Sequence, residues 1–256
     1  MKIVRYQDSQ NRIHYGVQHA NSTTRVEGDI FGDHRDTGEA ADVQKLLAPI
    51  APVDILCIGL NYRRHAEESN QAAPEYPVLF MKTSSAAQNP GDPIVLPTRL
   101  KSDAVDYECE LAVVIGKPCL NATRENALDY VLGYTCANDV SERVIQKAEM
   151  DQGALLVSKG YDTFCPVGPV IVTDLDPASI AIGTRVNGVG KQASNTSDLL
   201  FSVADLVTYL STAITLVPGD LIITGTPSGV GPLVPGDEVE IFAEGIGVLR
   251  NPVVAE

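Results

Sequence analysis

Two glutamates, Glu108 and Glu110, interrupt the run VDYECELAVVIG at residues 105–116, where Val105, Tyr107, Leu111, Ala112, Val113, Val114 and Ile115 suit a pleated, partly buried surface. A carboxylate in such a run is costly unless something pairs with it. Residues two apart in a strand share a face, so both carboxylates project into one space and Cys109 points the other way. Like charges that close repel, and either a proton or a cation relieves them. A further lone acid, Asp139, follows the apolar run YVLGYTCAN and stands just before a helix start. Three carboxylates with no Cys or His beside them make a hard-oxygen donor set, suited to Mg²⁺, Mn²⁺ or Ca²⁺ rather than Zn²⁺. The spacing alone also fits a solvated strand face, and Asp139 also fits an acid favoured by a helix N-terminus.

The elements that must position these acids are mostly strands. KIVRY and RIHYGVQ flank the polar turn QDSQN in a small β-rich N-terminal domain over residues 1–50, and LLAPIAPVD, broken by Pro49 and Pro52, reads as a linker. Residues 51–256 form the main domain. Pro-Gly-Asp occurs in NPGDPIVLP, VPGDLIITG and VPGDEVEIF, each time as a tight turn before a β-branched run. Three helices are expected. NATRENALDYVLGY has Thr123 as N-cap and Gly133 as its stop. SERVIQKAEM starts at Ser141 and aligns Val144, Ile145 and Ala148. SVADLVTYLST carries Ser202 and Asp205 at capping-box spacing. The class is α+β, β-dominated, with one core in the main domain.

A net charge of −14 argues against nucleic acid or an anionic membrane as partner, while leaving anionic small molecules to the local field of a pocket. The start, MKIVRYQDSQNR, lacks the apolar stretch of a secretion signal, and nothing approaches 18 consecutive apolar residues. Five cysteines without CxxC spacing fit buried free thiols in a reducing compartment. A cytoplasmic protein is expected.

Five segments in order, ILCIGLNYRRHAEE, DYECELAVVIGK, NDVSERVIQ, SKGYDTFCPVGP and ITGTPSGVG, resemble the fumarylacetoacetate hydrolase family, and EVEIFAEGIGVLRNPV resembles its closing strands. The resemblance runs from about residue 53 to 253 and is to the short bacterial members, acylpyruvate hydrolases and 2-hydroxyhepta-2,4-diene-1,7-dioate isomerases. It implies a mixed β-sandwich/β-roll main domain behind the small N-terminal one, and a homodimer. It implies Glu108, Glu110 and Asp139 as ligands of Mg²⁺, with Mn²⁺ or Ca²⁺ as alternatives. Arg143, Gln146 and Thr226 then face a small 2-oxo acid, Lys159 lies near metal and substrate, and His65 with Glu68 activates water. The implied reaction is cleavage of a 3-acylpyruvate through an enolate; the alternatives are a β-keto acid decarboxylase acting on an oxaloacetate-type substrate and a 2-hydroxy-dienedioate isomerase or tautomerase.

The physics of spacing agrees. Arg143 and Gln146, like His65 and Glu68, are three apart on a helix and share a face. A carboxylate so placed holds an imidazole in one tautomer. TGTPSGVG lacks the Gly-Lys-Ser/Thr ending of a phosphate loop, so its glycines are expected to let the backbone approach a ligand. Where relatives read N-D-V-S-A-R-D-W-Q, this chain has Glu142, Val144 and Ile145, and Gly160-Tyr161 replaces Ser-Phe. Those changes, and DQGALLVSKG, are expected to alter the pocket wall and spare the ligands.

Overall fold

The alternation around Glu110 belongs to a strand buried on both faces. In Cys109–Ile115, Cys109, Leu111, Val113 and Ile115 enter one core while Ala112 and Val114 enter another. The structure, a computed structural model, describes residues 1–68, 70, 72–99 and 104–256. Cys109–Ile115 lies inside a 12-stranded sheet, antiparallel to Val131–Asn138 on one side and to Leu221–Ile223 on the other. Beyond Leu221–Ile223 come Ile55–Gly59, in parallel, and Val78–Lys82 at the edge. In the other direction Cys165–Val172 follows, then Lys2–Gln7 with the N-terminal hairpins built on it.

A five-stranded sheet contains Val189–Asn195, Ala181–Val186, Glu238–Ala243, Gly247–Ala255 and Ile94–Leu96. Its Ile182, Val239 and Ile241 share the first core with Leu111 and Val113. The arrangement is the β-dominated sandwich expected of the family. Each Pro-Gly-Asp turn precedes a strand, with Gly91, Gly219 and Gly236 at φ of 80°, 95° and 98°. In two of them the Asp side chain closes the turn, Asp220 on Val217 N and Asp237 on Val234 N. Five free cysteines are all buried, and among the described residues no helix is long and apolar enough to cross a membrane.

Three α-helices occur among the described residues: α1 at Arg63–Glu68, α2 at Arg143–Met150 and α3 at Val203–Ser211. The capping box of α3 forms between Ser202 and Asp205 as its spacing requires, and Val203, Leu206, Val207 and Leu210 seat the helix on the first core. Two expectations need correction. NATRENALDYVLGY yields only a 3₁₀ turn at Ala127–Tyr130 before the Val131–Asn138 strand begins. Ladder pairing on both sides outweighs the local helical pattern there, and Gly133 is a packing glycine, since a Cβ would come within 2.5 Å of the Val172 carbonyl. Ser141 does not cap α2 either. It pairs with Asp106 in a small sheet, and Glu142 caps the helix through Val144 N and Ile145 N at 3.1 and 2.5 Å.

Candidate active site

The strand pair carrying the acids bends where the acids sit. Val105–Tyr107 pairs with Ser141–Glu142 in a three-stranded sheet, and Cys109–Ile115 pairs with Val131–Asn138 in the large one. Glu108 and Asp139 occupy the crossing, joined by Asp139 N donating to the Glu108 carbonyl at 2.9 Å, while Glu108 N donates to Asn138 Oδ1 at 2.9 Å. Glu110, one step along the face, completes a triad whose ligand atoms lie within 4.8 Å of one another, all three side chains buried.

Basic groups surround two of the three. Lys159 Nζ bridges Glu108 Oε2 at 2.9 Å and Asp139 Oδ2 at 2.7 Å, and lies 5.0 Å above the Phe80 ring. Lys82 Nζ takes Asp139 Oδ1 at 2.6 Å. Arg143 meets Glu108 Oε1 and Asp106 Oδ2, each at 2.7 Å, and donates to Gln146 Oε1 at 2.8 Å. It therefore serves the acidic cluster. Burial works against the Glu108 charge, but Lys159 and then Arg143 outweigh it and hold its pKa far below the carboxylate range. Burial likewise opposes the Lys159 charge, and Asp139 and Glu108 overcome it, so that ammonium is held charged.

Glu110 differs. Its oxygen accepts from Gly225 N at 2.5 Å, and among the described residues no basic side chain bonds to it. Burial first, then Asp139 and Glu108, push its pKa well up. Asp106, Glu108, Glu110 and Asp139 are set against Lys82, Lys159 and Arg143, so the cluster has one acid in excess of its bases, and Glu110 is the one without a basic partner among the described residues. Oxygen donors only, mutual proximity, burial and that excess all fit a hard divalent cation. The bonded oxygens of Glu108 and Asp139 keep a lone pair free beside their ammonium or guanidinium partners, and Glu110 Oε2 keeps one beside the Gly225 N–H.

The cluster floors a cavity of about 320 Å³ whose lining includes His65, Arg143, Gln146, Lys159 and Thr226 with Glu108 and Glu110. His65 Nδ1 lies 3.3 Å from Glu68 Oε2 on α1, and the same oxygen accepts from Gly229 N at 3.3 Å. Asp139 and Glu68 are not themselves part of that lining. The remaining wall is apolar, formed by Ile58, Val78, Phe80, Met150, Leu155 and Val230. Of the altered positions, only Leu155 of DQGALLVSKG reaches that wall among the described residues. Glu142 is spent on capping α2, Val144 is exposed, and Ile145, Gly160 and Tyr161 lie off the lining.

Several further residues contribute to the site. Lys82 ends an apolar strand, the same anomaly that singles out Glu110, and could have been found that way. Gly225 (φ +98°) brings its backbone against Glu110 and the Asn61 side chain, so its freedom serves a protein carboxylate instead of a ligand. Gln192, which bonds Thr226, sits in a polar strand that gave no signal.

Residues 54–254 match the fumarylacetoacetate (FAA) hydrolase C-terminal family model, and residues 1–49 match the Rv2993c-like N-terminal model. A solved structure described as 5-carboxymethyl-2-hydroxymuconate delta-isomerase from Mycobacterium smegmatis superposes with a TM-score of 0.91 at 41% identity, covering 100% of both chains. Fumarylpyruvate hydrolase from Pseudomonas aeruginosa, solved with Mn²⁺ and pyruvate, gives 0.75 at 31% identity over 83% of this chain and 93% of that one. Oxaloacetate tautomerase Fahd2a of Rattus norvegicus is 43% identical over 219 residues, 81% of this chain and 69% of its own length. With the first model spanning most of its length and the acid cluster in place, the chain is an enzyme of the fumarylacetoacetate hydrolase family.

Proposed function

We propose that this enzyme hydrolyses a carbon–carbon bond of a 3-acylpyruvate, R–CO–CH₂–CO–COO⁻, to pyruvate and R–COO⁻. The observation that supports this reading is one cavity with charged groups at its floor, a His65–Glu68 pair in reach and an apolar remainder that suits an uncharged R. Glu108, Glu110 and Asp139 would hold a divalent cation, which supplies Lewis acidity toward oxygens of the oxo-acid end. Arg143, Gln146 and Thr226 bind the carboxylate, which answers how so acidic a chain takes an anion.

His65, oriented by Glu68, takes a proton from water, and the hydroxide adds to the acyl carbonyl. The bond from that carbon to the methylene breaks with its electron pair on the pyruvate side, where the Lys159 ammonium offsets the enolate charge. The proton on His65 then returns to the methylene carbon. The products are pyruvate, R–COO⁻ and one proton released to solvent.

The 43% identity to an oxaloacetate tautomerase favours a second reading, in which the same pair moves a proton between carbon and oxygen of a 2-oxo acid and no water is consumed. Product analysis by NMR over acylpyruvates, oxaloacetate and hydroxydienedioates separates them. Equimolar pyruvate and R–COO⁻ support hydrolysis, and interconversion without cleavage supports the tautomerase. Full turnover after exhaustive chelation overturns both.

A further inference from the structure

The side-chain amide of Gln192 is bonded at every hydrogen-bonding position it has. Oε1 accepts from Cys109 N at 2.9 Å and from the Thr184 hydroxyl at 2.7 Å. Nε2 donates to Thr226 Oγ1 at 2.9 Å and to the Pro227 carbonyl at 2.8 Å. A backbone N–H only donates and a carbonyl only accepts, so the reversed amide would set donor against donor at Cys109 and acceptor against acceptor at Pro227. Gln192 is 2% exposed, which leaves no room for water to rescue the reversed state. The approach itself needs Gly229, where a Cβ would come within 2.6 Å of the Lys191 carbonyl.

Thr226 is thereby made an acceptor toward Gln192. A hydroxyl has one proton, and among the described residues that of Thr226 meets no acceptor, while the side chain lines the cavity. We infer that Gln192 is a positioning residue that fixes the Thr226 hydroxyl as a donor into the cavity, so that this end of the site is matched to a carboxylate, which can only accept. The inference rests on the reading above that Thr226 meets the carboxylate of the ligand.

Gln192→Glu is the informative substitution, because it keeps acceptors for Cys109 and Thr184 and replaces the donor to Thr226 by an oxygen that draws the hydroxyl proton to itself. Dissociation constants of pyruvate and pyruvamide would be measured by calorimetry on the Mn²⁺-loaded protein. Pyruvamide can present either its carbonyl or its NH₂, so it tolerates both directions of the hydroxyl. Gln192→Glu is expected to weaken pyruvate about 10-fold or more and to leave pyruvamide nearly unchanged. Loss of both ligands equally, or an unaltered preference, overturns the inference. A carboxylate at 192 also repels pyruvate by its charge, so the uncharged Gln192→Met, which frees the hydroxyl to rotate, must narrow the preference as well, by a smaller factor; no narrowing overturns the inference. Thr226→Val separates the two levels. If it leaves pyruvate affinity intact, the carboxylate assignment itself is wrong. If it weakens pyruvate while the Gln192 variants keep the preference, only the role of Gln192 falls.

Discussion

Lys82 Nζ lies 2.6 Å from Asp139 Oδ1, and neither side chain is exposed to solvent. The lysine ends the edge strand Val78–Lys82, paired with Ile55, and its ammonium also donates to the Val140 carbonyl at 3.0 Å. Together with Lys159 on the other oxygen, it fixes the plane of the Asp139 carboxylate. Lys82→Met removes one partner of a buried pair and is expected to cost about 3–5 kcal/mol of folding free energy in the metal-free protein, read by urea denaturation. Saturating Mn²⁺ should recover part of that loss, because a cation supplies the missing charge. A loss below about 1 kcal/mol would put the pair in the class of exposed ion pairs and remove its structural role.

The two glutamates of the triad respond to pH in opposite senses. Glu108 is held far down by Lys159 and Arg143 against the burial that opposes them, so its contribution to stability is present above the ordinary carboxylate range and is lost as pH falls toward its depressed value. Glu110 is pushed up by burial, then by Asp139 and Glu108, so its contribution is full below the ordinary range and is lost as pH rises toward its raised value. A divalent cation entering below that raised value must displace the Glu110 proton. Titration of Mn²⁺ below that raised value, in buffers of different ionisation enthalpy, should therefore show a proton released, and Glu110→Gln should abolish the release. An apparent enthalpy that does not change with buffer would contradict this.

Much of the site was legible because burial of charge is a one-dimensional signal. Glu108 and Glu110 stand out against the apolar residues around them, and the strand parity that puts them on one face holds in the fold. The α3 capping box and the three Pro-Gly-Asp turns were legible for a related reason, since each is closed by bonds within a few residues. What failed was decided at long range. Thr123 and Gly133 mark a helix locally, yet two neighbouring strands claim that backbone. Asp106 and Gln192 acquire their roles only when segments distant in sequence are brought side by side, Asp106 meeting Arg143 across 37 residues and Gln192 reaching Cys109 across 83. No local pattern encodes such a partner.

His65→Ala tests the base. General-base removal is expected to lower kcat for acylpyruvate cleavage about 10²- to 10⁴-fold. Pyruvate formation from oxaloacetate by decarboxylation, which consumes no water, should survive in the same preparation if that activity is present. Glu68→Gln should cost less, since it loosens the imidazole without removing it. The His65 side chain is 17% exposed and Glu68 50%, so thermal stability should move little in either variant. Cleavage surviving within a factor of about three in His65→Ala would assign the proton transfer elsewhere.

The apolar end of the cavity makes the last prediction. Among its described lining residues the basic side chains are His65, Arg143 and Lys159, and in the proposed reaction Arg143 serves the first carboxylate, Lys159 the enolate and His65 the water. A second carboxylate on R would enter a wall of Ile58, Phe80, Leu155 and Val230 and lose water without gaining a partner. Among 3-acylpyruvates, those with a straight alkyl R should therefore exceed those whose R ends in a carboxylate by about tenfold or more in kcat/KM. Leu155 is half-buried on the segment between α2 and Lys159. Leu155→Arg should shift the ratio toward the dicarboxylate by about tenfold or more, with alkyl substrates losing mainly in KM. If the parent enzyme already prefers the dicarboxylate and Leu155→Arg leaves the ratio alone, then R does not lie against this wall, and the carboxylate end and the acyl end must be exchanged in the cavity.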